Sequence, residues 1–300
     1  MKVLLIAGGW STERDVSLAS ARNIGTALDE LGHDVTFLDL LDGFGTLVRL
    51  ARENDFAFLA LHGAPGEDGL VQAVLESAGC PYQGSGPAAS FLALNKAASK
   101  ALFREADLRT PDWELIPRPG TGTPLQLRYP VFVKPNMGGS SLGMSLVERE
   151  VDLPPALEKV HALGEEALVE AAVPGVEVTC GILGETPQPL ILIRPKHGSA
   201  YFDYQNKYDQ DGADEICPAP VDEELVREVQ HISLEAHRIL GCRGYSRADF
   251  MVQEGVPYLL EVNTLPGMTS TSLLPRSAKV TGLDFNALIA ELIRLGMEHN

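Results

Sequence analysis

Cysteine is scarce: there are four in 300 residues, and Cys80, Cys180, Cys217 and Cys242 show no C-x-x-C spacing. That excludes a zinc ribbon or a disulfide framework and leaves reduced thiols, as expected of a cytoplasmic protein. His33, His161, His231 and His237 fall in helix-like or turn contexts without the paired spacing of metal ligands. Positive charge is also short, with 24 Lys and Arg against 41 Asp and Glu, a net charge of −17. Nucleic acid and anionic membranes both need clustered cations, so neither is expected as a partner. Long apolar runs are lacking. The opening MKVLLIAGGW meets two glycines too soon for a signal core or a spanning helix, and reads as a buried first strand. No internal repeat or low-complexity linker is present.

What remains is a folded chain, 45% hydrophobic and longer than the usual single domain, so two or three domains are expected. The front alternates strand and helix: KVLLIAG a strand, SLASARNIGTALDELG an amphipathic helix, HDVTFLDL and FAFLALHG two further strands. In such open α/β sheets ligands sit beyond the carboxyl ends of the strands, where Gly8, Gly9, His62 and Gly63 fall. NKAASKALFREADL is a second helix, YPVFVKP a strand, and ALVEAAVPGVEVTCGIL two strands around a Pro-Gly break. A polar stretch, 198–215, reads as a mobile loop. A long helix, a hairpin and a terminal helix complete the chain.

The hairpin, ADFMVQEGVPYLLEVNTLPGM, carries the first chemical signal. Folded symmetrically about Gly255, it sets Asp249 opposite Glu261, and Arg247 and Asn263 join them on one face by two-residue alternation. Two carboxylates and an amide, without His or Cys, suit magnesium, which fills its shell with water and nucleotide phosphates. The plain alternative is a pair of solvent-facing acids on a hairpin. Lys96 opens a helix, and Lys134 ends an apolar run before NMGGSSLG, whose small residues allow backbone to approach phosphate closely. Neither GGSSLG nor AGGWSTERDVS fits a Walker or dinucleotide fingerprint, which argues against a nicotinamide dehydrogenase.

Taken together, AGGWSTERDVS, LHGAPGEDG, NKAASK, VFVKPNMGGSSLGMS, FDYQNKY, GYSRADFM and EVNTLPGMTSTSL resemble the D-alanine–D-alanine ligases of the ATP-grasp superfamily, in order and over nearly the whole chain. The resemblance implies an N-terminal open α/β domain (1–93) and a two-part ATP-grasp fold (94–173 and 174–300). It also implies a homodimer, and ATP-dependent joining of two D-alanines through a D-alanyl phosphate for peptidoglycan synthesis. The cofactors implied are ATP and two magnesium ions, with manganese able to substitute. A ligase for D-lactate or D-serine is the close alternative, disfavoured by the NKY at 206–208.

Carried over by position, Lys96 and Lys134 hold ATP phosphates, Glu170 lies beside adenine, Val173 gives a backbone contact, and Glu177 takes the ribose hydroxyls. Asp249, Glu261 and Asn263 are the metal ligands. Glu13 receives the first D-alanine's ammonium group near His62, Ser140 and Tyr208 link to Glu13, and Lys207 reaches the transferring phosphoryl group. Arg247 and the Gly267 N–H stabilise the oxyanion, and Ser272 binds the second carboxylate. Without the resemblance, Glu13 reads as an acid at a helix entrance, serving only the helix dipole.

Overall fold

In a computed structural model, residues 1–117, 125–139, 142–196, 213–269 and 271–298 are described. They build three sheets whose free faces converge. The first is parallel, in the order β2 (Asp34–Asp39), β1 (Lys2–Ala7), β3 (Phe56–Leu59). β1 is buried from Val3 to Ala7, as a central parallel strand covered on both faces should be. Helices α1 (Arg14–Glu30), α2 (Gly43–Glu53), α3 (Leu70–Ala78) and α4 (Pro87–Leu94) follow its strands.

The second sheet, β4 (Trp113–Ile116), β7 (Ala167–Ala171), β5 (Val131–Pro135) and β6 (Ser145–Val147) in that order, is antiparallel. Along β5, Val131 and Val133 pack with Ala156 and Val160 of α6 (Leu153–His161). The two-residue period therefore turns Phe132 and Lys134 to the opposite face.

The third sheet is ordered β11 (Ala213–Ile216), β10 (Ile191–Pro195), β8 (Val176–Leu183), β12 (Tyr245–Gln253), β13 (Val256–Asn263), with β9 (Thr186–Pro187) paired to β8. One face is apolar: Val178, Ala248, Phe250, Leu259 and Val262 cluster with Val229, Ile232 and Ala236 of α7 (Glu223–Ile239) and with Phe103 of α5 (Lys96–Glu105). The other face carries the polar members of the same strands. Each sheet falls within one of the three stretches expected from sequence, although helices cross between them. The last helix, α9 (Phe285–Glu298), returns to the core of the first sheet through Leu288, Ile289, Leu292 and Leu295.

The hairpin departs from the simple expectation. Its turn is the two residues Glu254 and Gly255, both at positive φ (52° and 81°), the left-handed pair that suits a tight hairpin. Such a turn alone would pair Asp249 with Leu260 and send Glu261 to the helix-covered face. A bulge between Asp249 and Phe250 shifts the register by one residue, so Phe250 faces Leu259 while Asp249 faces Glu261. The expected opposition of the two acids is present, reached by turn plus bulge rather than by symmetry about Gly255. A second difference concerns 198–215: Ala213–Glu215 are not loop but part of β11, paired with β10. The rest of that stretch lies outside the described residues.

Gly296 shows how closely α9 docks. A β-carbon there would sit 2.7 Å from the Tyr82 carbonyl oxygen and 2.8 Å from the Phe56 ring. Alanine normally favours a helix over glycine by about 1 kcal/mol. Here Gly296→Ala is expected to destabilise by roughly 1–3 kcal/mol through overpacking, read as a lowered melting temperature; an unchanged or raised value would refute the close docking.

Candidate active site

Two neighbouring cavities open where the three sheets meet. One, of about 890 Å³, is lined by residues of the first and third sheets and by Gly138 and Gly139 from the second. The other, a slot of about 120 Å³, lies between the second and third sheets. Lys96, Gly138, Gly139, Glu177, Asp249 and Glu261 border both.

Their shared wall is the polar face of the third sheet. Arg247 and Asp249, two residues apart on β12, point the same way, and the guanidinium grips the carboxylate with Nε to Oδ1 at 2.8 Å and a terminal nitrogen to Oδ2 at 2.7 Å. Thr179, opposite Asp249 on β8, donates to the same Oδ1 at 2.6 Å. Burial would lower the Arg247 pKa, but Asp249 outweighs it and holds the guanidinium above its usual range. On β13, Glu261 Oε2 lies 3.1 Å from Lys96 Nζ, which also donates to the Gly138 carbonyl at 2.5 Å. Asn263, facing Arg247, accepts from the Leu265 N–H at 2.8 Å.

Among the described residues no group of three His, Cys, Asp or Glu side chains is arranged to hold a metal ion. The candidate set here is two carboxylates and an amide. Hard oxygen donors on one face suit magnesium, and Asp249, Glu261 and Asn263 are the side chains that could hold it. Lys96 and Arg247 already offset much of the acids' charge, so the set is suited to an ion arriving with phosphates.

Besides the charged residues of the shared wall, the slot is lined by Phe132, Leu142, Met144, Val173, Met251 and Leu260 and by Lys134 and Glu170. There the buried Glu170 on β7 takes two lysines: Lys134 Nζ donates to Oε1 at 2.6 Å, and Lys100 Nζ lies 2.5 Å from Oε2 as a charge contact rather than an aligned hydrogen bond. Burial would raise the Glu170 pKa, yet the two ammonium groups prevail and lower it. Lys100 has no exposed surface, and burial pushes its pKa down to about 8.

One side of the larger cavity is built by residues that follow strands of the first sheet. Glu13 precedes α1 and makes no side-chain capping hydrogen bond to it. A β-carbon on Gly139 would lie 3.1 Å from the Glu13 carboxylate, and one on Gly63 3.3 Å, so the carboxylate sits among glycines that leave it room. His62 is buried, 3.4 Å from the Ser20 hydroxyl, and burial keeps its pKa below the usual value despite Glu13 nearby. Gly267 approaches Ser272 so closely that a β-carbon would stand 2.8 Å from its hydroxyl oxygen. Ser272 in turn accepts from the Thr269 N–H at 2.9 Å and stands at the entrance of α8 (Leu273–Val280).

Every residue given a role by the resemblance that falls in the described part lines one of the two cavities: Glu13, His62, Arg247, Asn263, Gly267 and Ser272 the larger, Lys134, Glu170 and Val173 the slot, and Lys96, Glu177, Asp249 and Glu261 both; Gly8, Gly9 and Gly63, at the strand ends, line neither. Ser140, Lys207 and Tyr208 lie outside the described residues.

Residues 102–294 match the family described as D-ala D-ala ligase C-terminus. The chain is 61% identical to the D-alanine–D-alanine ligase of Nitratidesulfovibrio vulgaris (strain DP4) over 99% of its own length and 98% of the relative's. It is 56% identical to that of Maridesulfovibrio salexigens, again over 99% and 98%. A crystal structure of D-alanine–D-alanine ligase from Bacillus anthracis complexed with ATP superposes with a TM-score of 0.87 at 34% identity, covering 99% of this chain and 98% of that one. The chain belongs to the D-alanine–D-alanine ligase family. Its fold is that of the ATP-grasp ligases.

Two groups of this family member escaped the sequence reading. Lys100 follows Lys96 by one helical turn, a spacing that could have marked it, but a lysine on a helix reads as solvated. Glu67, within the LHGAPGEDG run, is buried and accepts from the Gly63 N–H at 3.0 Å. Burial, with Glu13 nearby, pushes its pKa up to about 8.

That shift has a sign. The folded state holds a proton on Glu67 through the interval from its usual value near 4.5 to about 8, where the unfolded chain has released it. Stability is therefore full below that interval and falls as pH rises through it, by at most about 1.4 kcal/mol per pH unit. In chelator-treated, nucleotide-free protein, Glu67→Gln should flatten the decline in melting temperature between pH 5 and 8; an identical slope in both proteins would contradict the assignment.

Proposed function

We propose that this protein joins two D-alanines to D-alanyl-D-alanine with ATP, forming ADP and phosphate and supplying peptidoglycan precursors. The observation that carries the reading is the third sheet's polar face, where Arg247, Asp249, Glu261 and Asn263 share one wall between an apolar slot and a cavity of amino-acid chemistry, in a chain 61% identical to a D-alanine–D-alanine ligase.

A carboxylate is a poor electrophile, so the first D-alanine must be activated. In this reading the adenine enters the slot between Met251, Leu260 and Phe132, Glu177 takes the ribose, and Lys96 and Lys134 hold the phosphates. The amino acid's ammonium group sits near Glu13, with His62 neutral beside it. Its carboxylate attacks the γ-phosphorus, ADP leaves, and a D-alanyl phosphate results. Magnesium, held by Asp249, Glu261 and Asn263, supplies neutralisation of phosphate charge. The second D-alanine, its carboxylate at Ser272, attacks the acyl carbon as a free amine. The tetrahedral oxyanion faces Arg247 and the Gly267 N–H, phosphate departs, and the amide remains. Arg247 is suited to this because Asp249 fixes its plane through two hydrogen bonds.

The three stretches 1–93, 94–173 and 174–300 are read as the units of the grip, with ATP between the latter two. No helix among the described residues is long and apolar enough to cross a membrane. We place the enzyme in the cytoplasm, where its nucleotide is made, as a homodimer.

Phosphate release with ATP, magnesium and D-alanine tests the reading, with L-alanine and D-lactate as alternatives; preference for L-alanine, or ester formation matching dipeptide formation at neutral pH, would redirect it. Arg247→Met should lower kcat roughly 10²–10³-fold, the scale of losing one oxyanion donor. Full activity in that variant would remove Arg247 from the oxyanion role.

A further inference from the structure

Lys100 borders neither cavity, yet it touches Glu170, an acid that lines the slot alone. Its ammonium group donates to Thr110 Oγ1 at 2.6 Å and to the Pro111 carbonyl at 3.4 Å, and stands 2.5 Å from Glu170 Oε2 as a charge contact. Lys100 is fully buried and lines neither cavity, so whatever it contributes to a nucleotide passes through Glu170. The Thr110 hydroxyl donates onward to the Leu259 carbonyl at 2.7 Å, which ties this anchor to β13 beside the slot-lining Leu260. The Trp113 ring lies 5.7 Å from the ammonium and closes it off further.

A buried ion pair is seldom retained for stability, since well-packed apolar residues of similar size commonly serve as well. Its value here is chemical. An ionised carboxylate only accepts hydrogen bonds, whereas a carboxylic acid or an amide also donates. With Lys134 on Oε1 and Lys100 on Oε2, the acid is fixed in plane and its remaining lone pairs are fit only for donors. A purine edge with an exocyclic amine can satisfy them; a carbonyl there would set lone pair against lone pair.

We propose that Lys100 is a positioning residue for nucleotide choice: from behind the slot it keeps Glu170 an oriented, acceptor-only group, so that a 6-aminopurine triphosphate is taken and a 6-oxopurine triphosphate refused. The inference rests on the slot being the nucleotide-base site of the proposed reaction. A second consequence concerns Lys134. With Lys100 gone, Glu170 would be left to Lys134 alone, drawing that ammonium inward from the phosphates.

The test is calorimetric binding of ATP and of inosine triphosphate, which differ at position 6, to the full-length protein with magnesium and without amino acid. Lys100→Met should weaken ATP binding roughly tenfold and narrow the preference for ATP by a similar factor, the scale of one charge-assisted hydrogen bond. In turnover it should raise the KM for ATP while leaving the KM for D-alanine unchanged. Because the effect runs through Glu170, Lys100→Met introduced on top of Glu170→Gln should alter the preference less than about twofold. That pair also decides the matter if K100M alone fails to fold, since K100M/E170Q leaves no lone buried carboxylate. An unaltered preference in K100M, or an equal change in both backgrounds, overturns the proposal. Absence of D-alanine-dependent turnover in the wild type would strike the ligase reading alone, because the binding comparison needs no amino acid.

Discussion

Carboxylates cannot line a closed cleft unless cations are brought to them, and the structure depends on that requirement. Asp249 is held by Arg247, Glu261 by Lys96, and Glu170 by Lys100 and Lys134. Asp249 and Glu261 lie directly opposite one another on adjacent strands, a like-charge arrangement that is unfavourable by itself. The cations do more than cancel it. Arg247 and Lys134 come from the same sheets as the acids they meet, whereas Lys96 and Lys100, both on α5, reach Glu261 of the third sheet and Glu170 of the second, so that one helix joins those two sheets through charge.

Each of those cations is set by a local device. Asn95 accepts from the Ala98 N–H at 3.0 Å, starting α5 one residue before Lys96. Asn136 accepts from the Ala97 N–H at 2.9 Å, while the Lys96 N–H donates to its carbonyl at 3.1 Å, which locks the helix start to the strand end that follows Lys134. Lys96 and the strand end beside Lys134 are thus tied together. The bulge in β13 does the corresponding work for the acids, putting the consecutive residues Leu260 and Glu261 both toward the cleft, one apolar and one charged.

The parts of this arrangement that obey a short period were legible in the sequence. Alternation marked the hairpin face, and the apolar run of β1 announced a buried strand. The helix α2 was not, because GFGTLVRLARE opens with two glycines that suppress the helical signal. Glu67 and Lys100 were hidden for a different reason. Neither carries a local mark of burial; each is made functional by groups far away in the chain, Glu67 by Glu13 and Lys100 by Glu170. The roles given to the amino-acid end came from resemblance, since no spacing ties Glu13 to Gly267.

What joins those distant residues is the seam between the first and third sheets. Gly84 and Gly244 cross with so little room that a β-carbon on Gly244 would stand 3.3 Å from the Gly84 nitrogen. Arg243 donates to the Gly84 carbonyl at 3.1 Å, and Gln83 to the Tyr245 hydroxyl at 3.3 Å. The seam lies two to four residues before Arg247, where the chain enters the strand that carries it. Glu13 and His62, which follow strands of the first sheet, therefore line one cavity with Arg247 and Gly267 beside a closely packed boundary. Among the described residues, the second sheet reaches the same cavity only through Gly138 and Gly139. Precision is thus concentrated where a carbonyl carbon must meet an amine, and the nucleotide side is tied in through two lysines and a glycine turn.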